Sequence, residues 1–499
     1  MMKKTLSFIA LIILTITVLT AQNEVDALRY SQSFHGGSAR FMSMGGAFGA
    51  LGADPSTLTI NPAGLGVYRK SEFTFTPTFY LGETSSNFMD NISVDHKYNF
   101  NFNNMAIVGV SNTGNKDGWI SVNFGFGYNK VNNFNNRVVI EGQNNDNSIT
   151  DYFVELANGN TSDNLNFFNE GLGWDAYLID HNINDTTNTT YQSALLTRGV
   201  LQSKSITSKG SIGEYDFSIG ANYDNTLYFG ATVGIVGIRY KEDSEFSEED
   251  PDTMIYDFNS LTYRQHLLTR GTGFNFKFGL LYRPVDWIRI GGAIHTPTFF
   301  TLTDKYSSEM LSDFESTKWY VDSYSGDTVI YDEQLIESPE GISNYQLTTP
   351  FKAIGSLALV IKKTAIISID YEFIDYSLAR LRDDKDPFIT ENNSIQNHYT
   401  IASNIRAGLE YRYGPFSFRG GYALYGNPYN TAEVDNDGTI TAYSGGFGIR
   451  DKEFYFDIAY VYTTKSEKYY LYSPDVVSID AATLNATTSR VMATFGFRF

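Results

Sequence analysis

The chain has 499 residues and a formal net charge of −19, with 35 Tyr, 37 Phe, 43 Gly, only 12 Pro and no cysteine. Without cysteine there is no disulfide framework, thiolate nucleophile, Cys metal site or lipid-attachment residue, and the acidic balance argues against nucleic acid as a partner. A mean hydropathy of −0.25 excludes a bundle of membrane helices, whereas many aromatics at low charge suit a sheet that is apolar on one face and polar on the other.

The first element is a targeting segment, residues 1–21. Met1 to Lys4 give a positive start, Leu6 to Leu19 an apolar run, and Thr20-Ala21 a small-residue cleavage site before Gln22. The apolar run falls short of the ~20 residues of a spanning helix, so a cleaved signal peptide is expected rather than an anchor.

Residues 22–70 have a different texture. Gly36, Gly37, Gly45, Gly46, Gly49, Gly52, Gly64 and Gly66 crowd a stretch with no sustained alternation. Two short helices are expected, at Ser38 to Leu51 and at Pro55 to Ile60, with Asp54 or Ser56 as caps. Neither can stand alone. Lying just before the first strand, the segment is expected to fold into a barrel from the periplasmic side as a hatch.

From residue 71 to 499 the chain falls into segments of period two. Phe274, Phe276, Phe278 and Leu280 alternate with Asn275, Lys277 and Gly279, and Phe454, Phe456, Ile458 and Tyr460 with Tyr455, Asp457 and Ala459. About fourteen such segments reach the ~9 to 11 residues of a tilted spanning strand. They lie near 71–81, 98–111, 118–130, 206–222, 226–241, 264–283, 286–300, 346–361, 364–376, 398–413, 415–426, 439–450, 453–464 and 487–499. Every second connection is short, as at Asp224-Asn225, Pro284-Val285, Lys362-Lys363, Gly414 and Asp451-Lys452. The alternate ones, 131–205, 242–263, 301–344, 377–397 and 465–486, are long and polar. This parity predicts an all-β, antiparallel transmembrane barrel of about 14 strands, with short periplasmic turns, long extracellular loops and both ends of the barrel on one side. In lipid an open sheet would leave costly unpaired backbone groups, so the last strand is expected to close on the first. The acidic run Glu242 to Asp252 reads as a solvated loop, and Asp435-Asn436-Asp437-Gly438 as a hairpin tip.

The last segment turns Val491, Ala493, Phe495, Phe497 and Phe499 one way and Met492, Thr494, Gly496 and Arg498 the other. This ending resembles the signal by which outer-membrane proteins are presented to the barrel-assembly machinery, and it makes Phe495, Phe497 and Phe499 candidate assembly residues.

One resemblance is more specific. Ala39-Arg40-Phe41, Met44-Gly45-Gly46-Ala47, Ala53-Asp54 and Asn61-Pro62-Ala63-Gly64-Leu65 resemble the hatch of the FadL/TodX family of outer-membrane transport proteins. Weaker echoes lie at Gly279 to Pro284, at Ile290-Gly291 and at His295-Thr296-Pro297. The long 131–205 connection resembles Bacteroidetes-type members. The resemblance implies a 14-stranded barrel in the outer membrane of a Gram-negative bacterium, passing long-chain fatty acid-like or other hydrophobic small molecules. It places Asn61, Pro62, Ala63 and Gly64 in the lumen, either on the substrate path or only shaping the plug. Implied partners are outer-membrane lipids, a hydrophobic ligand and, during biogenesis, the assembly machinery.

No enzyme signature is present: the chain has no Gly-x-Ser-x-Gly elbow, phosphate-binding loop or His-Glu-x-x-His helix, and its six histidines are scattered. No catalytic, cofactor or metal residue is expected. A second reading makes the barrel an accessory or scaffold subunit of another outer-membrane complex. An apolar internal pocket would favour transport, and a filled lumen would favour scaffolding.

Overall fold

The period-two segments pair with their sequence neighbours, as alternating side chains and short turns require. In the computed structural model, which describes residues 23–499 apart from 35, 196–198, 252, 322–327 and 363, they form a closed antiparallel barrel. The strands are β1 (Glu72–Phe88), β2 (Asn91–Asn112), β3 (Trp119–Asn133, continued by Asn136–Asn144), β4 (Val200–Tyr223), β5 (Leu227–Glu249) and β6 (Ser260–Val285). They continue through β7 (Ile288–His295 and Phe299–Val321), β8 (Thr328–Glu337, Gly341–Thr348 and Lys352–Ile361), β9 (Ala365–Asp375), β10 (Ile401–Tyr413) and β11 (Phe416–Tyr425). β12 (Ile440–Arg450), β13 (Phe454–Tyr469) and β14 (Ala482–Arg498) complete the set of 14. β14 pairs with β1 from Arg498 opposite Glu72 to Thr483 opposite Asn87, so no edge remains there. The proposed signal peptide and His35 lie outside the described residues.

The faces follow the sequence pattern. Phe274, Phe276, Phe278 and Leu280 are exposed on the outside while Asn275 and Lys277 are buried within, and Phe454, Ile458 and Tyr460 are exposed while Tyr455, Asp457 and Ala459 are buried. Beside the short turns an exposed belt of Trp119, Tyr223, Tyr282, Trp287, Tyr411 and Tyr413 marks one boundary of the apolar wall.

The long connections are shorter than the sequence suggests. β1 and β2 meet at a turn around Met89 and Asp90, β5 and β6 run to Glu249 and from Ser260, and β13 and β14 to Tyr469 and from Ala482. Polar composition misled here because a strand that rises beyond the membrane is wetted outside and needs no apolar row. The acidic run is corrected likewise. Glu242 to Glu249 form ladder rungs paired with β4 on one side and β6 on the other, and Asp252 lies outside the described residues. Asp435 sits in the connection between β11 and β12 and pairs with Lys468.

The connection after β3 folds as a cap. Helices α4 (Ile149–Ala157) and α5 (Glu170–Asp175) bury Ile149, Phe153, Leu172 and Leu178 with the inward-facing Ile140, Phe246, Tyr263 and Leu484 of the wall, filling the long-loop mouth. A further helix, α6 (Ile389–His398), lies between β9 and β10. Ser148 and Asp151 form a capping box on α4, and the buried Glu248 of β5 accepts from Ile149 N at 2.8 Å, placing a carboxylate at the helix N-terminus.

Residues 23–34 and 36–68 lie inside the barrel. Helices α1 (Glu24–Ser31), α2 (Ala39–Ser43) and α3 (Thr57–Ile60) and a 3₁₀ turn (Pro62–Val67) pack against the inner faces of the strands from β3 round to β14. Ser38 caps α2, and Asp54 accepts from Ser56 N at 3.0 Å as expected of a cap, but Ser56 makes no side-chain cap. Its hydroxyl instead accepts from Ser38 N at 2.9 Å, tying the two turns together. The first helix is shorter than expected because Gly45 and Gly46 take positive φ and end it.

Candidate functional site

The Asn-Pro-Ala-Gly motif is built into the seat of this inner segment. Asn61 donates to the carbonyls of Gly49 (2.6 Å) and Leu280 (3.2 Å) and accepts from Ala63 N (3.1 Å), which caps the 3₁₀ turn that Pro62 opens. Bare inner faces of two strands let the turn come this close. A Cβ on Gly279 would stand 2.0 Å from Asn61 Oδ1, and one on Gly230 would stand 2.1 Å from the Pro62 carbonyl carbon. Ala63 is buried, and Gly64 accepts from Ala53 N at 3.1 Å. His295, at the break between the halves of β7, meets the Ile60 carbonyl at 2.9 Å through Nε2. The weak sequence echoes at 279–284 and 295–297 are therefore the wall's side of this contact.

A second feature was not foreseen. β2 pairs with β3 only from Asn104 opposite Asn129 to Asn112 opposite Ser121, whereas β2 from Asn91 to Asn103 pairs with β1 alone. Above Asn129, β3 stays with β4 through a bulge between Lys130 and Asn132 and turns into the lumen, where Val131 joins Leu28, Tyr30 and Phe134 in a buried cluster. Among the described residues, the facing edges of β2 and β3 share no ladder over this stretch, which leaves a window in the wall. Its sill is the Asn104–Asn129 side-chain hydrogen bond (2.5 Å), and its lintel the Arg137–Asp95 ion pair (3.0 Å). Exposed Phe79, Tyr98, Phe100 and Phe102 flank it on the outside, so it opens within the apolar band. The freed carbonyls of Lys130 and Val131 are not orphaned, since Gly36 N donates to the first at 2.6 Å and Phe34 N to the second at 2.8 Å.

Behind the window lies a cavity of about 200 Å³. Phe34, Tyr80, Tyr425 and Ile440 give it apolar surface, Asn101, Asn103, Asn132 and Asn133 line the window side, and Lys130, Lys465 and Arg490 bring three cations. Phe34 packs edge-on against Tyr425 at 5.1 Å. No carboxylate lines the cavity among the described residues. Lys465 is paired with Glu467, but Lys130 and Arg490 face no carboxylate there, and Arg490 donates only to Thr463 Oγ1 at 3.3 Å while its Nε is buried without a partner. None of Asn61, Pro62, Ala63 or Gly64 reaches this cavity.

A scan against protein-family models and a search of curated proteins found no match. Solved structures do match. A FadL homologue from Pseudomonas aeruginosa superposes with a TM-score of 0.56 at 12% identity, covering 94% of this chain and 100% of that one. The toluene transporter TodX of P. putida gives 0.53 at 12% identity over 93% and 99% of the two chains, and the Ralstonia pickettii toluene transporter TbuX 0.51 at 14% over 93% and 98%.

The fold is that of the FadL/TodX channels.

The resemblance read from residues 39–65 is thus borne out at the level of fold. Within the FadL/TodX fold of this chain, sequence reasoning found the seat of the inner segment but missed the window and the basic cavity. A signal for the window existed, since the alternation of 118–130 dissolves at Val131-Asn132-Asn133. Phe495 and Phe497 lie on the outer face of β14, stacked with Phe75 (5.1 Å) and tilted against Phe454 (5.5 Å), and Phe499 is exposed beside Ser71, whose carbonyl accepts from its N–H.

Proposed function

We propose that this protein is an outer-membrane channel for hydrophobic small molecules that carry an anionic head, long-chain fatty acids being the type, and that they move by way of the window between β2 and β3. The observation that carries the reading is the cavity behind that window, where Lys130 and Arg490 face no carboxylate among the described residues. A buried cation without a counter-ion is costly, and a ligand carboxylate would relieve that cost. The route is argued from the two closed mouths. The cap fills one end and the inner segment the other, so an apolar tail is directed sideways into lipid. The inner segment acts as a hatch whose Asn61-Pro62-Ala63-Gly64 motif holds it in place, and the movable parts are Phe34 and Gly36, which bridge the bulge of β3 beside the cavity. TodX and TbuX are toluene transporters, and toluene is a neutral cargo, whereas the cation pair argues for a different head group here.

The test is a binding titration of the purified barrel with dodecanoate and with dodecanol, on the wild type and on K130Q/R490Q. A loss of at least about tenfold for the carboxylate, with the alcohol unchanged, is the expected result, each charge-assisted contact being worth ~1.5 kcal/mol. Equal binding of dodecanoate by both proteins would reject the reading. We further infer that Phe495, Phe497 and Phe499 serve recognition by the assembly machinery, supported by their outward placement. Deleting Phe499 should lower the inserted yield without changing the heat-modifiable migration of what does insert, and an unchanged yield would argue against it.

A further inference from the structure

The net charge is −19, yet the short-turn end of the lumen is crowded with arginine. Arg40 of α2 and Arg412, Arg419 and Arg450 of the wall gather around two carboxylates, and Arg289 of β7 stands beside them, it and Arg40 donating to the neighbouring carbonyls of Leu51 and Ala53. Glu410 takes Arg40 Nε at 2.9 Å, Arg419 Nε at 2.7 Å and Arg412 through both Nη2 (2.6 Å) and Nε (2.7 Å), which leaves Arg412 Nη1 outside the pair. Asp457 takes Arg419 Nη1 at 2.7 Å and Arg450 Nη2 at 3.6 Å. Arg289 has no carboxylate partner among the described residues. It donates to the Leu51 carbonyl, and the cations Arg283, Arg40 and Arg412 bear on it, with the Tyr228 phenol acting the other way. Asp54, which also faces Arg40, is already held by Ser38 and Ser56, and counting it still leaves cations in excess.

Three of these guanidinium nitrogens, Arg289 Nε, Arg419 Nη2 and Arg450 Nε, are buried without a hydrogen-bond partner, and the Arg419 side chain is 0% exposed. The cluster is nevertheless reachable, because the Arg412 side chain is 36% and that of Arg450 23% exposed. Unmatched buried cations with free donors are expensive unless an anion meets them, and the guanidinium fork matches the paired oxygens of a carboxylate or phosphate.

We propose that this arginine cluster is an oxyanion site, holding one carboxylate or phosphate group against Arg289 and Arg412 under the inner segment. It is separate from the cavity behind the window and does not depend on the transport reading. The group could belong to a lipid headgroup or to a free ion, and two measurements separate these sources. One is calorimetric titration of the micellar protein with inorganic phosphate. The other is native mass spectrometry after release from phosphatidylcholine nanodiscs doped with phosphatidylglycerol. Wild type, R289Q/R412Q and R289K/R412K are compared, each checked for heat-modifiable migration. The Gln variant is expected to fold because Glu410 keeps Arg40 and Arg419. If it does not, R289Q alone serves, since Arg289 has no carboxylate to strand. One-to-one phosphate binding weakened at least tenfold in the Gln variant and partly kept in the Lys variant supports a free-ion site. Retention of one phosphatidylglycerol, lost in the Gln variant and without phosphate binding, supports a lipid-headgroup site. Absence of saturable binding in both measurements, or equal binding by wild type and Gln variant, overturns the proposal.

Discussion

Replacing Asn61 with alanine removes the group that fastens the inner segment to the wall at its tightest approach. The side chain is buried and makes three hydrogen bonds, to Gly49 O, Leu280 O and from Ala63 N. Only the Leu280 bond crosses to the wall, the other two holding the segment's own fold; with a hydrogen bond worth ~1 kcal/mol net and a stranded buried partner costing about 1–3 kcal/mol, Asn61→Ala should favour local opening of the segment by about 2–4 kcal/mol. At ~1.4 kcal/mol per decade this is roughly a 30- to 1,000-fold rise in the open population of the segment. Asn61→Asp should be no milder. It keeps the acceptor for Ala63 N but sets a carboxylate oxygen against the carbonyls of Gly49 and Leu280. Hydrogen exchange on the micellar barrel reads this directly, because local opening and global unfolding separate there. Amides from 38 to 67 should lose protection by that factor while those of β9 and β10 keep theirs. Unchanged exchange in 38–67 would refute the anchoring role, and equal loss in the wall would show that the segment and barrel open as one unit.

Close approach at Gly279 gives a second expectation: Gly279→Ala places a methyl 2.0 Å from Asn61 Oδ1 and should mimic Asn61→Ala in the same exchange assay, whereas Gly109→Ala, with nothing within 4 Å, should be silent. Docking of α1 should depend on pH. Burial pushes the Asp26 carboxyl up to about 7, with Asp304 and Glu242 adding to it and Arg29 opposing. The folded state therefore holds this proton more tightly than the unfolded value of 3.8 allows, so the contribution is complete below that value and is lost as pH rises through about 7. Amides of 24–31, corrected for intrinsic exchange, should be better protected at pH 5 than at pH 8.5, and Asp26→Asn should flatten the difference. In the cap, Glu248→Gln exchanges an acceptor for a donor beside Ile149 N and Gln202 Nε2 and should loosen the cap by about 1–3 kcal/mol. Limited proteolysis within 158–195 should then accelerate, with the barrel core resistant; equal rates would remove Glu248 from the latch.

The sequence by itself determined the barrel. Period two fixes which side chains face lipid, a wall in lipid admits no open edge, and alternating connection lengths set strand number and direction, so each of the 14 expected segments overlaps an observed strand, although 286–300 and 346–361 are broken at 296–298 and 349–351 and β7 runs on to Val321. The Asn61-Pro62-Ala63-Gly64 turn was visible in the sequence, but that Asn61 caps it and that it sits against Gly279 and Gly230 came from the structure. How far the strands rise beyond the membrane was not legible, since outside lipid both faces of Glu242 to Glu249 can be polar and still pair. Both basic clusters belong to tertiary structure alone, and of the window the sequence shows only the lapse of alternation at Val131-Asn132-Asn133. Lys130 and Arg490 stand 360 positions apart, and Arg40 lies 370 positions from Glu410; only barrel closure and the inward turn of β3 bring such residues together. Local pattern reports the face a residue takes, while the partner it meets across a lumen depends on the register and bulges of every strand between them.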